Sequence, residues 1–156
     1  YMVDGGTIDR CINEADIKGK NIYLGGISGD LRWHGMISNC KNTGSVTTTQ
    51  SLSGGIVCTV SSDAYGIKNC SSSGTIPSSS STSSTQITYI IGKVSSSPCP
   101  VENTCDQTYY HASNSSKTSY SSTIDSILTT LNTWANSNNG VNWVKNGSRL
   151  ELNLSW

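Results

Sequence analysis

Thiols are the side chains of this sequence with the widest chemical range, and the chain has six of them. A thiol can be buried, join a disulfide or bind a metal. Cys11, Cys40 and Cys70 lie 29 and 30 residues apart, and Cys105 follows in the next copy of the same pattern. We expect these four to form a column of small buried side chains. The absence of a Cys-x-x-Cys pair disfavours zinc, so we predict no metal and no cofactor.

A disulfide is the second role open to these cysteines. Cys99 and Cys105 flank the short stretch 100–104, which makes them the predicted pair, and Cys58 with Cys99 is the alternative. Cysteines one repeat apart in a stack are somewhat too distant for easy disulfide geometry.

The two histidines offer little catalytic chemistry. His34 lies near Asp30 and could form an acid–base pair with it, although an exposed corner is the favoured interpretation. His111 stands alone. The acidic residues occupy different repeat positions, and no Gly-x-Ser-x-Gly motif occurs. We therefore predict no catalytic residues and a protein that is not an enzyme.

Three aromatic residues are the candidate binding groups. Tyr23, Trp33 and Tyr65 could stack on sugar rings, although packing in the core or at corners is the favoured interpretation.

A repeat of about 29 residues must position all these groups. Gly25-Gly26-Ile27 recurs as Gly54-Gly55-Ile56, and each copy holds short β-prone segments broken by Gly and Asn. Such units bury their apolar side chains by stacking, about 4.8 Å apart. Two inward ladders follow from the spacing: Ile8, Ile37 and Ile67, and Ile27, Ile56 and Ile90. A Ser/Thr-rich insertion at 77–85 lengthens the third copy.

The repeat resembles the GLUG motif of bacterial secreted and surface proteins. The match is carried by Gly54-Gly55-Ile56 and by Gly35-Met36-Ile37-Ser38-Asn39-Cys40-Lys41-Asn42-Thr43-Gly44-Ser45-Val46. It covers roughly residues 4–110, in copies at about 4–34, 35–65 and 66–110. The resemblance implies proteins that are often adhesins or peptidase prodomains, without catalytic residues of their own. We predict an all-β repeat protein, a right-handed parallel β-solenoid over residues 1–120.

A C-terminal cap is predicted over residues 121–156. An amphipathic helix begins at Ser122 and stops at Asn138-Asn139-Gly140. Its apolar face comprises Ile124, Ile127, Leu128, Leu131, Trp134 and Ala135. Two strands, 141–144 and 149–156, flank Asn146-Gly147, a pair typical of type I′ hairpins. We expect this cap to cover the open edge of the last coil.

Composition limits the partners. The net charge is zero and only 13% of residues are charged, which disfavours nucleic acid and a polybasic membrane surface. No apolar run is long enough to span a membrane. Six cysteines among abundant Ser and Thr favour an extracellular protein.

These observations predict a structural or adhesive module, the C-terminal part of a larger cell-surface or fibre protein. A glycan-binding module of a secreted enzyme is the alternative, and a β-helix lyase or hydrolase is less favoured. The predicted partner is a surface ligand, glycan or protein. Copies could also associate through the open N-terminal coil.

Overall fold

The computed structural model describes residues 5–20, 23–49, 53–76, 89–94, 100–113, 116–119 and 123–155. The predicted insertion at 77–85, the predicted disulfide partner Cys99 and the predicted helix cap Ser122 lie outside these residues.

Each copy of the repeat folds into short strands separated by tight corners, because Gly and Asn interrupt every β-prone segment. The strands are, in chain order, β1 (Thr7–Asp9), β2 (Ile12–Asn13), β3 (Ile17–Gly19), β4 (Leu24–Gly25), β5 (Ser28–Leu31), β6 (Met36–Ser38), β7 (Lys41–Asn42), β8 (Val46–Thr48), β9 (Ser53–Gly54), β10 (Val57–Val60), β11 (Gly66–Lys68), β12 (Ser71–Ser72), β13 (Ile91–Val94), β14 (Val101–Glu102), β15 (Thr104–Cys105), β16 (Tyr109–Ser113) and β17 (Ser116–Ser119). We call residues 7–31, 36–60, 66–94 and 101–105 passes 1 to 4.

Equivalent strands of successive passes pair in parallel. Ile37 pairs with Ile8 on one side and with Ile67 on the other, and Ile67 pairs with Val101. The predicted ladder of Ile8, Ile37 and Ile67 is therefore confirmed. Ile37 and Ile67 are fully buried, whereas Ile8 in pass 1 is only partly buried. Ile8 and Ile27 pack against the main core. The core itself consists of Leu31, Ile37, Cys40, Ile56, Val57, Val60, Ala64, Ile67, Cys70, Ile90, Ile91 and Val101.

The predicted right-handed parallel β-solenoid is wrong as a fold class. The described strands form six separate sheets of two to six strands, with mixed orientation, beside one helix. Strands of two to five residues end at corners that turn the backbone away, so each side of a pass forms its own small sheet. After β15 the chain reverses, and β16 and β17 continue the six-stranded sheet with antiparallel pairing.

One corner of the passes carries a column of asparagine side chains. Asn39, Asn69 and Asn103 have φ of 50°, 51° and 48°, a left-handed conformation that Asn adopts more readily than most residues. Asn69 Nδ2 donates to Asn39 Oδ1 at 2.7 Å, and Asn103 Nδ2 donates to Asn69 Oδ1 at 2.7 Å. In pass 1 Arg10 holds the equivalent φ of 55°, and Asn39 Nδ2 donates instead to Asp9 Oδ1 at 2.7 Å. Asp9 thus ends the asparagine column.

A second polar column explains the repeated Gly-Gly pair. Asn13 Nδ2 donates to Asn42 Oδ1 at 2.8 Å, and Ser72 pairs with Asn42 in the register of β7 and β12. A Cβ atom at Gly26 would overlap the Asn42 side chain, and one at Gly55 would overlap the Ser72 hydroxyl. The second glycine therefore makes room for the polar side chain of the following pass. The buried Ser72 Oγ has no hydrogen-bond partner among the described residues.

The cysteine column contains three of the four predicted members. The backbone N–H of Cys11 donates to Cys40 Sγ at 3.4 Å, and that of Cys40 donates to Cys70 Sγ at 3.4 Å. The N–H of Cys70 then donates to Thr104 Oγ1 at 3.2 Å, and Ser71 pairs with Cys105. Thr104 therefore takes the repeated cysteine position. The prediction for Cys105 is wrong by one residue, because pass 4 is offset by 34 residues from pass 3.

The predicted disulfide is also wrong. The structure forms no disulfide among the described cysteines, Cys11, Cys40, Cys58, Cys70 and Cys105. The Cys105 thiol instead donates to the carbonyl oxygen of Leu150 at 3.4 Å, inside the apolar cluster of the C-terminal segment.

The C-terminal segment contains the predicted helix and hairpin. Helix α1 spans Ile124–Ser137 with Thr123 at its N-cap, and it buries Ile127, Leu131 and Ala135. Asn138 and Asn139 follow the helix, and Gly140 N–H bonds the carbonyl oxygen of Ala135 at 2.8 Å. These contacts confirm the predicted stop.

The hairpin turn differs from the prediction by one residue. Strands β18 (Trp143–Asn146) and β19 (Arg149–Leu152) pair antiparallel, with Asn146 opposite Arg149. The central turn residues are therefore Gly147 and Ser148, and Gly147 has φ of 60°. A glycine with positive φ at the first central position is the pattern of a type II′ turn.

The C-terminal segment packs along the asparagine corner, although we expected it to cover the edge of the last coil. Val141 N–H donates to Asn39 Oδ1 at 2.9 Å, and Asn69 Nδ2 donates to the carbonyl oxygen of Val141 at 2.8 Å. Trp143 Nε1 donates to Asn69 Oδ1. The segment therefore contacts passes 2 and 3 laterally, while β16 pairs with the edge of pass 4.

Asn69→Ala tests the asparagine column. The change removes a fully buried side chain and, with it, one hydrogen bond from each of Asn39, Asn103, Val141 and Trp143. We expect the free energy of unfolding to fall by at least about 3 kcal/mol, measured by urea denaturation.

The matched control is Ser72→Ala, three residues away and equally buried. Because its hydroxyl has no hydrogen-bond partner among the described residues, the free energy of unfolding should stay within about 1 kcal/mol or rise. An equal loss in both variants would contradict the role of the asparagine column.

Thiol accessibility tests the positions of the cysteines. Cys11 is exposed, whereas Cys40, Cys58, Cys70 and Cys105 are buried. Burial raises the pKa of the Cys58 thiol to about 11, and only the thiolate reacts. With iodoacetamide at about pH 8, peptide mapping should show alkylation of Cys11 and protection of the other four in the native protein. All five should react in denaturant without a reductant, and a cysteine that fails to do so would reveal a disulfide.

Candidate functional site

Asp30 and His34, considered from the sequence as an acid–base pair, each contact other residues in the structure. Asp30 Oδ1 accepts from Thr59 Oγ1 at 2.6 Å, and Asp30 Oδ2 lies 2.5 Å from Arg32 Nε. His34 instead packs its ring against Tyr65, with the ring centroids 5.0 Å apart. Both oxygens of Asp30 are therefore engaged, and His34 belongs to an aromatic contact.

A buried His–Asp pair forms elsewhere, between two residues that the sequence did not connect. His111 Nε2 lies 2.9 Å from Asp106 Oδ2, and both side chains are almost fully buried. The other oxygen of Asp106 accepts the backbone N–H groups of Thr108 and Tyr109 at 2.7 and 2.8 Å. The pair thus holds the reversal between β15 and β16, which is a structural use of both groups.

Histidine, cysteine, aspartate and glutamate side chains of the described ranges are the candidate metal ligands. No group of three or more of them is arranged to hold a metal ion there.

The most developed surface feature is an aromatic corner formed by Trp33, His34 and Tyr65. Trp33 and His34 lie in the connection from β5 to β6, and Tyr65 lies in the connection from β10 to β11, one pass higher. Trp33 is 40% exposed and Tyr65 is 58% exposed. Two of the three predicted aromatic residues therefore lie at equivalent corners of adjacent passes, with His34 as an added ring.

The backbone of this corner adopts an unusual conformation. Trp33 and His34 have φ of 49° and 57° in succession, and a positive φ is uncommon for residues other than Gly, Asn, Asp and His, so Trp33 is the unusual residue. Such conformations cost about 1–3 kcal/mol each and persist only where surrounding contacts impose them. Here Gly5 N–H bonds the carbonyl oxygen of Trp33 at 2.8 Å, and His34 N–H bonds that of Asp63 at 2.9 Å.

Asp63 is the polar group that organises the corner. The Ser61 hydroxyl donates to its carboxylate, and together with the backbone N–H of Trp33 this lowers the pKa of Asp63 below its usual value. The carboxylate is therefore ionised at neutral pH and links the connection between passes 2 and 3 to the Trp33 turn between passes 1 and 2.

Tyr23 does not belong to the aromatic corner. It is 59% exposed, but it lies between β3 and β4, on a different connection of pass 1. The prediction that His34 lies at an exposed corner is confirmed, whereas its contact with Tyr65 and the part played by Asp63 were not predicted. The available signal was that Trp33-His34 and Tyr65 both immediately precede the Gly-x-Ile and Gly-Ile segments of successive copies.

The corner is chemically suited to a ligand with both apolar and hydroxyl groups. Exposed ring faces offer apolar contact area, while Asp63, two residues before Tyr65 in the same connection, offers carboxylate oxygens. Arg32 neutralises Asp30 across 2.5 Å, so Asp63 carries the remaining negative charge of these three residues.

Comparison with known proteins leaves the family open. No protein-family model matches the chain, and no curated protein or solved structure matches it. The resemblance to the GLUG repeat therefore stays a prediction. Nothing in the comparisons or the described structure supports the predicted adhesin, secreted or fibre roles. Helix α1 is too short and too polar to cross a membrane, and it is the one helix in the described part of the chain.

Proposed function

We propose that this chain is a non-enzymatic structural module that displays its corners as a rigid surface. The observation that supports the proposal is the use of its buried polar side chains. Asn42, Asn69 and Asn103 are fully buried, and each bonds groups in a neighbouring pass or in the C-terminal segment. Polar groups that hold passes together are occupied and so do not converge on a substrate.

The C-terminal segment joins the passes into one unit. Lys41 Nζ lies 3.2 Å from Glu151, and both side chains are about four-fifths buried. Trp134 Nε1 donates to Glu102 at 2.7 Å, which links the helix to pass 4. Passes 2, 3 and 4 are therefore each bonded to the same helix and hairpin, as a rigid module requires.

The partner and the location are proposals that rest on the sequence. Low charge and abundant Ser and Thr support a place outside the cell. Association of copies through pass 1 also stays a prediction. There β1 and β2 lie at the edges of their sheets, and Ile12 is 40% exposed.

Amide hydrogen exchange on Trp143→Ala tests the structural role. Trp143 is buried and bonds Asn69, so its removal should lower protection at amides in passes 2 to 4 together, because they share one C-terminal segment. The expected loss of stability is about 3–5 kcal/mol. Trp33→Ala, which removes an exposed tryptophan, is the control and should leave the protection pattern unchanged. Loss confined to residues next to Trp143 would contradict a single rigid unit.

An activity assay tests the non-enzymatic part. The chain should release no new reducing ends from a panel of neutral and acidic polysaccharides and no fragments from casein. Product that disappears in His111→Ala, with the fold intact by circular dichroism, would overturn the proposal.

A further inference from the structure

We propose that the aromatic corner of Trp33, His34 and Tyr65 binds uncharged glycans through the faces of pyranose rings. This goes beyond the structural role, since a rigid module needs no ligand site. Trp33 and Tyr65 lie in the same connection of successive passes, and the backbone of Tyr65 bonds Gly35, two residues after Trp33. Both rings are exposed at this corner, so one glycan chain can contact both.

The rings are held before a ligand arrives. His34 packs against Tyr65 at 5.0 Å, and the turn carrying Trp33 is fixed by bonds to Gly5 and Asp63. Tyr65 N–H donates to the carbonyl oxygen of Gly35 at 2.9 Å, which fixes the second ring to the first connection. A preorganised surface loses less conformational freedom on binding. The two successive positive φ values at Trp33 and His34 therefore belong to the turn that holds the rings in place.

The charges at the corner favour a neutral ligand. Arg32 is paired with Asp30, and the Asp63 carboxylate stays ionised. An anionic glycan would be repelled by the Asp63 carboxylate, because the cation among these three residues, Arg32, is already paired with Asp30. Sugar hydroxyl groups, by contrast, can donate hydrogen bonds to the Asp63 carboxylate. Uncharged hexose or pentose polymers fit both the ring faces and the carboxylate oxygens.

Affinity electrophoresis of the whole chain tests the proposal. Native gels would contain a soluble β-glucan, galactomannan or arabinoxylan as neutral probes, and polygalacturonate as the anionic probe. We expect at least one neutral polysaccharide to retard the protein and polygalacturonate to have no effect. Tryptophan fluorescence titration with the matching oligosaccharide then gives the dissociation constant.

Two variants remove one ring each. Trp33→Gly keeps the backbone conformation, since glycine adopts positive φ without steric cost, and Tyr65→Ala removes the ring one pass higher. Each should weaken binding about tenfold. If Trp33→Gly fails to fold, Tyr65→Ala still tests the corner.

Tyr23→Ala is the matched control, because Tyr23 is as exposed as Tyr65 but lies on another connection. It should bind as the unchanged protein does. The proposal is overturned if no neutral polysaccharide retards the protein, if only polygalacturonate does, or if Tyr23→Ala weakens binding as much as Tyr65→Ala. The hydrogen-exchange experiment on Trp143→Ala tests the structural role separately, so either proposal can fail without the other.

Discussion

Hydrogen bonds between asparagine side chains at one corner join three passes of the chain to its C-terminal segment. Asn69 is central, since its Nδ2 donates to Asn39 and Val141 and its Oδ1 accepts from Asn103 and Trp143. A buried amide of this kind is favourable only when its partners are present. The positions of the passes and of the C-terminal helix and hairpin therefore depend on one another.

This interior suits a chain with few large apolar side chains. The sequence has no Phe and only 34% hydrophobic residues, yet its passes approach closely enough to bury Ile, Val and Cys completely. Gly26 and Gly55 permit that approach, because a side chain at either position would overlap the polar column of the following pass. Small residues and paired amides thus stabilise a main core whose described members are Ile, Leu, Val, Ala and Cys.

The connections between passes are under different constraints. At the asparagine corner the side chains turn inward and the helix and hairpin cover them. At the aromatic corner Trp33 and Tyr65 remain exposed, and the backbone bonds of Gly5, His34 and Tyr65 hold the connection instead. One corner of the passes is therefore covered by the helix and hairpin, whereas the other keeps exposed aromatic rings.

The repeat in the sequence was enough to predict the contacts that follow directly from it. Residues 29 or 30 apart meet because parallel pairing carries one register through a whole pass, which placed Ile8, Ile37 and Ile67, and Cys11, Cys40 and Cys70, correctly. The helix could also be predicted, since its apolar period and its Gly140 stop are local.

Only the folded structure shows the contacts that lie outside that register. The offset of 34 residues put Thr104 in place of Cys105, and the reversal after β15 brought His111 to Asp106. The lateral position of the C-terminal segment depends on contacts across 72 to 110 residues, from Asn69 to Val141 and from Lys41 to Glu151. The division into six small sheets belongs here too, because it depends on where each corner interrupts the hydrogen bonding between strands, and periodicity carries no information on that.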